Sequence, residues 1–108
     1  MENPLENSAL RNLALMQSLK WGEEYAIPLP VKLARCCNLP AQEIERLSEF
    51  ILSVRDDVLW KIYYENYDYS DGTFRIDAMA AAKEKYPWID DANLRSLDVQ
   101  GRYYAWHG

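Results

Sequence analysis

The sequence is poor in the residues that build most active sites. Only two cysteines, four glycines and one histidine occur among its 108 residues. The glycines are all isolated, which excludes a glycine-rich phosphate loop, because such a loop needs several glycines close together. A single histidine, His107, excludes a zinc motif built on paired histidines. These absences argue against an enzyme and predict no catalytic residue, no cofactor and no metal site.

The two cysteines, Cys36 and Cys37, are adjacent in the chain. Neighbouring Cα atoms lie about 3.8 Å apart, whereas a disulfide usually needs about 4.4–6.8 Å. We therefore expect two reduced thiols, one of them facing a core, because free cysteine packs as a small apolar residue. A nucleophilic pair with His107 is formally open, but no spacing of metal ligands or catalytic groups supports it.

Long apolar runs are absent as well. No window of about 18 apolar residues occurs, so no membrane-spanning helix is predicted. The first four residues, Met1 to Pro4, contain neither a basic region nor a cleavage site of small residues, and so give no sign of a signal peptide. These observations predict a cytoplasmic protein without a membrane partner.

Basic residues are outnumbered by acidic ones, 12 to 17, and the formal net charge is −5. The excess lies in the second half, where residues 56–108 hold ten acidic and six basic side chains. A negative surface repels phosphate backbones and anionic lipids, which makes nucleic acid an unfavourable partner. The charge favours a protein partner with a basic surface.

The apolar residues, 49% of the chain, recur mostly at helical spacing. The length is that of one domain, so residues 1–108 are predicted to form a single helical domain. Its fold class is mainly α, a helical bundle or orthogonal array of about five helices. The helices are predicted at about residues 4–21, 31–37, 40–66, 78–86, and from Asp90 or Asp91 to Gly101. Asn3 and Asp77 are the predicted N-caps of the first and fourth helices, and Gly22 is the predicted stop of the first. The apolar face of the first helix is predicted to contain Leu5, Ala9, Leu13 and Met16.

The third predicted helix carries the strongest pattern. Its apolar residues recur at steps of three and four: Ile44, Leu47, Ile51, Val54, Val58 and Ile62. A helix over residues 40–66 would be about 40 Å long, which exceeds the roughly 30–35 Å of a domain this size. The pattern passes through residues 55–57 unbroken, so we predict one helix that bends there.

The C-terminal part offers two interpretations. Residues 102–105 either continue the last helix or pair with residues 73–76 as a small two-stranded ribbon. Residues 67–73 are predicted as a turn because Asp71-Gly72 favours one. The four tryptophans are assigned to the core and to packing between helices: Trp21, Trp60, Trp88 and Trp106.

Residues 30–47 resemble the helix-turn-helix pattern. Ala34 takes the position of its small residue, Asn38 the turn position usually held by glycine, and Ile44 and Leu47 the inward apolar positions. The resemblance implies two steeply crossing helices. In a DNA-binding unit the second helix enters the major groove. Its exposed positions here are mostly acidic, with one arginine: Gln42, Glu43, Glu45, Arg46 and Glu49.

A DNA-binding face would need the basic residues of this unit, Lys32, Arg35 and Arg46, to form one continuous exposed surface. The acidic residues around them oppose contact with phosphates. An architectural turn is therefore the favoured interpretation, and a helix-turn-helix DNA-binding regulator is the alternative function.

Residues 63–72, with the sequence YYENYDYSDG, combine four tyrosines with three acidic residues and no basic one. Tyrosine offers a large amphipathic contact area at low entropic cost, so binding surfaces use it often. Tyr63 is assigned to the core. An EF-hand does not fit, because Gly72 at its sixth position would place tyrosines at the first and third. The predicted contacts with a partner are Tyr64, Tyr67, Asp68, Tyr69 and Asp71.

Together the charge, this tyrosine-rich stretch and the missing catalytic groups favour a small acidic protein-interaction module. Adaptors, inhibitors and immunity-type proteins are of this kind. The alternative to a foreign protein partner is self-association, which would use the long third helix.

Overall fold

The computed structural model describes residues 4–107, which are mainly helical with one small two-stranded antiparallel sheet. The predicted mainly α fold class is confirmed. The five α-helices are α1 (Ser8–Ser18), α2 (Leu29–Cys36), α3 (Ala41–Asp56), α4 (Ala78–Lys85) and α5 (Asp91–His107). None of the described helices is long and apolar enough to cross a bilayer. The chain divides into two compact units, Met1–Val54 and Arg55–Gly108, and the single domain stays a prediction.

Helix α1 is shorter than predicted at both ends. Asn7 is its N-cap, because the Asn7 Oδ1 accepts a hydrogen bond from the Leu10 N–H at 3.0 Å. The predicted N-cap, Asn3, lies outside the described residues, and Pro4–Glu6 forms a separate 3-10 turn. The helix ends at Ser18, before the glycine that was predicted to stop it.

The core of the Met1–Val54 unit consists of apolar side chains from its three helices and their flanking residues. Helix α1 packs against α2. Two residues of the face predicted for α1, Ala9 and Met16, are exposed instead. The buried apolar side chains are Ala14, Leu15, Leu19, Leu29, Leu33, Ile44, Leu47, Ile51 and Val54.

The predicted long third helix changes its winding along its length. Helix α3 ends at Asp56, a π-helix follows over Asp57–Tyr63, and a 3-10 turn over Tyr64–Asn66 completes the run. The change falls where the bend was predicted. A π-helix takes more residues per turn than an α-helix, so it shifts the face on which the following side chains lie.

Helix α5 continues six residues past Gly101, the residue predicted to stop it. Glycine occupies this helical position because of the Tyr63 ring: a Cβ on Gly101 would lie 2.7 Å from Cδ1 and Cδ2 of that ring. Tyr63 is 1% exposed, as its core assignment predicted, and its hydroxyl donates to the Asp98 Oδ1 at 2.6 Å. Glycine at 101 therefore serves close packing within the Arg55–Gly108 unit.

The small sheet is a hairpin of β1 (Tyr67–Asp68) and β2 (Thr73–Phe74), with Tyr67 opposite Phe74. Of the two interpretations of residues 102–105, the helical one is confirmed, because these residues lie in α5. A small two-stranded sheet is present as predicted, but the partner of Thr73–Phe74 is Tyr67–Asp68 and not residues 102–105. Within the turn, the Gly72 N–H donates to the Asp68 carbonyl at 2.7 Å, and Gly72 has a φ of +71°, which glycine adopts readily. Pairing with a near segment also costs less loop-closure entropy than pairing with a distant one.

The tryptophans are less buried than predicted. Trp21, Trp60 and Trp106 are exposed, at 46%, 42% and 56%, and Trp88 is half-buried. Ile89 follows Trp88 in the segment that connects α4 to α5, and its side chain is fully buried. Core burial is therefore contradicted for Trp21, Trp60 and Trp106, although the Trp60 ring does pack against Tyr104 of α5.

Candidate functional site

The hairpin brings together the three tyrosines that the sequence predicted as contacts. The rings of Tyr67 and Tyr69 meet edge to face, with centroids 4.9 Å apart. A hydrogen bond with Tyr64 raises the pKa of Tyr69 above its ordinary value. Tyr69 is 60% exposed, while Tyr64 and Tyr67 are half-buried. The exposed side chain of Tyr69 therefore contacts two tyrosines that are themselves half-buried.

The two predicted aspartates have different roles in the hairpin. The Asp68 Oδ1 accepts hydrogen bonds from the Ser70 hydroxyl at 2.6 Å and from the Ser70 N–H at 3.0 Å. These bonds lower the pKa of Asp68 and form the side-chain turn that aspartate often provides. Asp71 is exposed, and only its backbone N–H bonds within the turn, to the Asp68 carbonyl at 3.3 Å. Asp71 therefore presents a carboxylate to solvent, whereas Asp68 also holds the turn.

A run of ring contacts extends this site beyond the predicted residues. Trp60 contacts Tyr64 and Tyr104, with centroid distances of 5.5 and 5.4 Å. Tyr104 contacts Tyr103 at 5.7 Å, and Tyr103 contacts His107 at 4.5 Å. We use the name aromatic surface for the following six residues: Trp60, Tyr64, Tyr67, Tyr69, Tyr103 and Tyr104.

Sequence reasoning missed three members of the aromatic surface. Trp60 was assigned to the core, and Tyr103 and Tyr104 were left without a role. A signal for Trp60 was present in the sequence, because it precedes Tyr64 by four residues and lies between Val58 and Ile62, off their apolar stripe. No comparable signal marks the tyrosines of α5, since their contact with Trp60 depends on tertiary packing.

A cation already packs on an aromatic ring beside this surface. The Arg102 guanidinium lies 5.1 Å from the centroid of the Phe74 ring, and its Nε donates to the Asp98 Oδ2 at 3.1 Å. Phe74 in turn contacts Tyr67 and Tyr63, with centroids 5.2 and 5.7 Å away. The arrangement combines an aromatic face with a nearby carboxylate, which is the environment that holds a guanidinium well.

Asp57 forms the most connected charged cluster of the Arg55–Gly108 unit. The Asp57 Oδ2 accepts from the Lys85 Nζ at 2.7 Å and from the Tyr86 hydroxyl at 2.6 Å. Burial alone would raise the pKa of Asp57, but these hydrogen bonds outweigh it and lower the pKa. The cluster ties the π-helix to the end of α4 and has no neighbouring nucleophile. Within residues 4–107, no group of three or more His, Cys, Asp or Glu side chains could hold a metal ion.

One of the three basic residues that a DNA-binding face of the helix-turn-helix-like unit would need is buried. Lys32 is only 5% exposed, and its Nζ donates to the Gln17 carbonyl at 2.7 Å. Gln17 lies in the last turn of α1, where the free carbonyls attract a cation. Arg35 and Arg46 are exposed, as are the acidic residues Glu45 and Glu49.

Comparison with protein-family models, with curated proteins and with solved structures finds no match to this chain.

Proposed function

We propose that this chain is a protein-interaction module that binds a basic segment of a partner protein. The segment would lie on the aromatic surface, next to the acidic residues of the hairpin. The observation that carries the proposal is a run of ring contacts from Tyr64 to Tyr103, which a hydrogen bond between Tyr64 and Tyr69 joins to the Tyr67–Tyr69 ring pair. Trp60, Tyr69 and Tyr103 are each more than 40% exposed.

The packing of these rings favours binding because it limits the entropy lost on association. A tyrosine has few rotatable bonds, and Tyr69 already rests on Tyr67 and bonds to Tyr64. Ordering a free side chain at an interface costs about 0.5–1.5 kcal/mol, and a ring that is already held loses less. Exposed aromatic residues in contact with one another are also those most often found at the centre of binding sites.

The charge of the surroundings supports a basic partner. Glu65 and Asp71 are exposed beside the tyrosines, and Asp68 is half-buried. The contact of Arg102 with Phe74 shows the chemistry that an incoming arginine would meet on an exposed ring. An arginine over an aromatic face contributes about 0.5–1 kcal/mol where water has access and about 2 kcal/mol where it is excluded.

The experiment is affinity capture from the native host lysate, with nuclease, followed by a titration of the captured protein. Asp71→Lys combined with Asp68→Asn should weaken its affinity at least tenfold, about 1.4 kcal/mol. Asparagine at 68 keeps the oxygen that accepts from Ser70, so the turn survives. Glu49→Lys combined with Glu45→Gln on α3 changes the net charge equally and is the matched control.

Three outcomes would contradict the proposal. The first is an unchanged affinity in the hairpin variant, and the second is an equal loss in the α3 control. The third is capture of nucleic acid that nuclease removes and that falls steeply with salt, which would favour the helix-turn-helix alternative. Trp60→Ala adds a test independent of charge, because it should weaken binding while the circular dichroism spectrum stays unchanged.

A further inference from the structure

The two adjacent cysteines lie at the end of α2, in the Met1–Val54 unit. Cys36 is the last residue of the helix, and Cys37 follows it in extended backbone with a φ of −125° and a ψ of 134°. The Cys37 N–H donates to the Leu33 carbonyl at 2.8 Å, which fixes the peptide between the two residues. Both thiols are free, as predicted; Cys36 is exposed and Cys37 is half-buried.

This backbone conformation places the Cys36 and Cys37 thiols next to each other. The Cys36 and Cys37 sulfur atoms are 3.5 Å apart and share a hydrogen bond. We propose that these two thiols form a bidentate site for a trivalent arsenical or a similarly thiophilic trivalent metalloid. The proposal is independent of the aromatic surface and rests on the sulfur geometry and the number of donors.

The sulfur separation selects the geometry of the bound atom. Bonds of about 2.3 Å at tetrahedral angles, as thiolates form with zinc, place two sulfur atoms about 3.8 Å apart. A linear two-coordinate ion with bonds of that length would require about 4.6 Å. The observed 3.5 Å therefore fits a pyramidal or tetrahedral centre and does not fit a linear one.

The number of donors selects among the centres with that geometry. A structural zinc site takes four protein ligands, and residues 4–107 contain no group of three or more side chains suited to hold a metal ion. An organic arsenical such as phenylarsine oxide has only two positions for thiols, because its third bond is to carbon. Two cysteines therefore complete its coordination within one chain.

The binding reaction balances without an external acceptor for protons or electrons. The hydrated arsenical carries two hydroxyl groups on arsenic. Two As–O bonds break and two As–S bonds form, each thiol proton leaves with a hydroxyl as water, and arsenic stays trivalent.

A disulfide between the same two residues has a weaker basis. The sulfur atoms would have to move from 3.5 Å to about 2.05 Å, on Cα atoms held closer together than disulfides usually allow. The reaction would also need an oxidant to take up two electrons. Binding of the arsenical needs neither the large movement nor a change of oxidation state.

The test uses the reduced full chain and phenylarsine oxide as the probe. We expect one arsenical per chain by mass spectrometry, with both thiols lost to a thiol reagent. The adduct should resist an excess of monothiol and be reversed by a dithiol. Cys36→Ser and Cys37→Ser should each weaken binding by at least about 100-fold, because the second bond of a bidentate ligand forms intramolecularly.

A control variant keeps two thiols but separates them along the chain. Cys37→Ser combined with Ser53→Cys moves the second thiol to an exposed position of α3. This variant should bind as weakly as the single-cysteine variants while its circular dichroism spectrum is unchanged. Binding as tight as in the parent chain, two arsenicals per parent chain, or displacement from the parent chain by monothiol would each overturn the proposal.

Discussion

The hydroxyl of Ser48 is a local defect in an otherwise apolar region. Ser48 is 2% exposed, and its Oγ has no hydrogen-bond partner among the residues that the structure describes. An unsatisfied buried polar group costs about 1–3 kcal/mol. Ser48→Ala should therefore raise the free energy of unfolding by at least about 1 kcal/mol, as measured by urea denaturation.

Ser53→Ala is the matched control for this prediction, because Ser53 is exposed on the same helix. It reports only the higher helix propensity of alanine, which is worth at most about 0.5 kcal/mol here. Equal gains in the two variants would mean that the Ser48 hydroxyl is not a cost to the fold.

Gly101 shows the opposite situation, a residue that is poor for a helix but required by its neighbour. In an open helix, Gly→Ala stabilises by about 0.5–1 kcal/mol. Here the new Cβ would lie 2.7 Å from two ring atoms of Tyr63. Gly101→Ala should instead lower the free energy of unfolding by about 1–3 kcal/mol, as added groups in a packed core do.

Thermal or urea denaturation checks the sign of this effect. Ser96→Ala, at an exposed position of the same helix, should be neutral or slightly stabilising. A Gly101→Ala variant that melts above the parent chain would show that the Tyr63 ring can move aside.

At the scale of elements, the π-helix is tied to α4 by Asp57. Hydrogen bonds lower the pKa of this carboxyl below its ordinary value near 4, so the folded state binds its proton less readily than the unfolded chain. The stability that Asp57 contributes is thus fully present above about pH 4 and is lost as pH falls through the lower folded pKa.

The measurement is the free energy of unfolding between pH 3 and pH 7 in the parent chain and in Asp57→Asn. The variant should lose about 1.5 kcal/mol at pH 7, the lower value for hydrogen bonds to a charged group. Its deficit should shrink as the medium becomes more acidic. A deficit that stays constant down to pH 3 would contradict a role for the charge of Asp57.

The existence of the helices could be predicted from the sequence, but several of their ends could not. Asp77 was correctly predicted as the N-cap of α4, because a side-chain acceptor before an alanine-rich run needs only local chemistry. Gly101 was predicted as a stop, since the ring that requires it comes from a residue 38 positions earlier. The pairing of β2 with residues 67–68 was missed because those residues were predicted to belong to the turn, and each strand is only two residues long.

At the scale of the whole molecule, the candidate site was only partly predictable. Tyr64, Tyr67 and Tyr69 lie within six residues, so a local turn was enough to bring them together. The contact of Tyr64 with Trp60 is also local, but the contact of Trp60 with Tyr104 requires α5 to pack against the π-helix. The composition of the chain predicted an aromatic and acidic surface, whereas the residues that complete this surface depend on tertiary packing.

The burial of the Lys32 side chain likewise could not be predicted from the sequence. Lys32 was named only as a member of the basic face that DNA binding would need, and its burial was not predicted, because lysine is rarely buried without a partner. Its partner is a carbonyl at the end of α1, fifteen residues earlier in the chain, and no side-chain pattern reveals such a contact.

The packing of Tyr63 on Gly101 also bears on how this sequence can change over generations. A bulkier residue at 101 is tolerable only after the ring at 63 has been replaced, so the two positions can diverge only as a pair. Tyr64, one residue along, faces no such restriction from a glycine. Strict conservation of Gly101 among descendants of this chain would therefore reflect close packing in its interior. Variation at Tyr64 and Tyr69 would instead reflect changes in the partner that binds there.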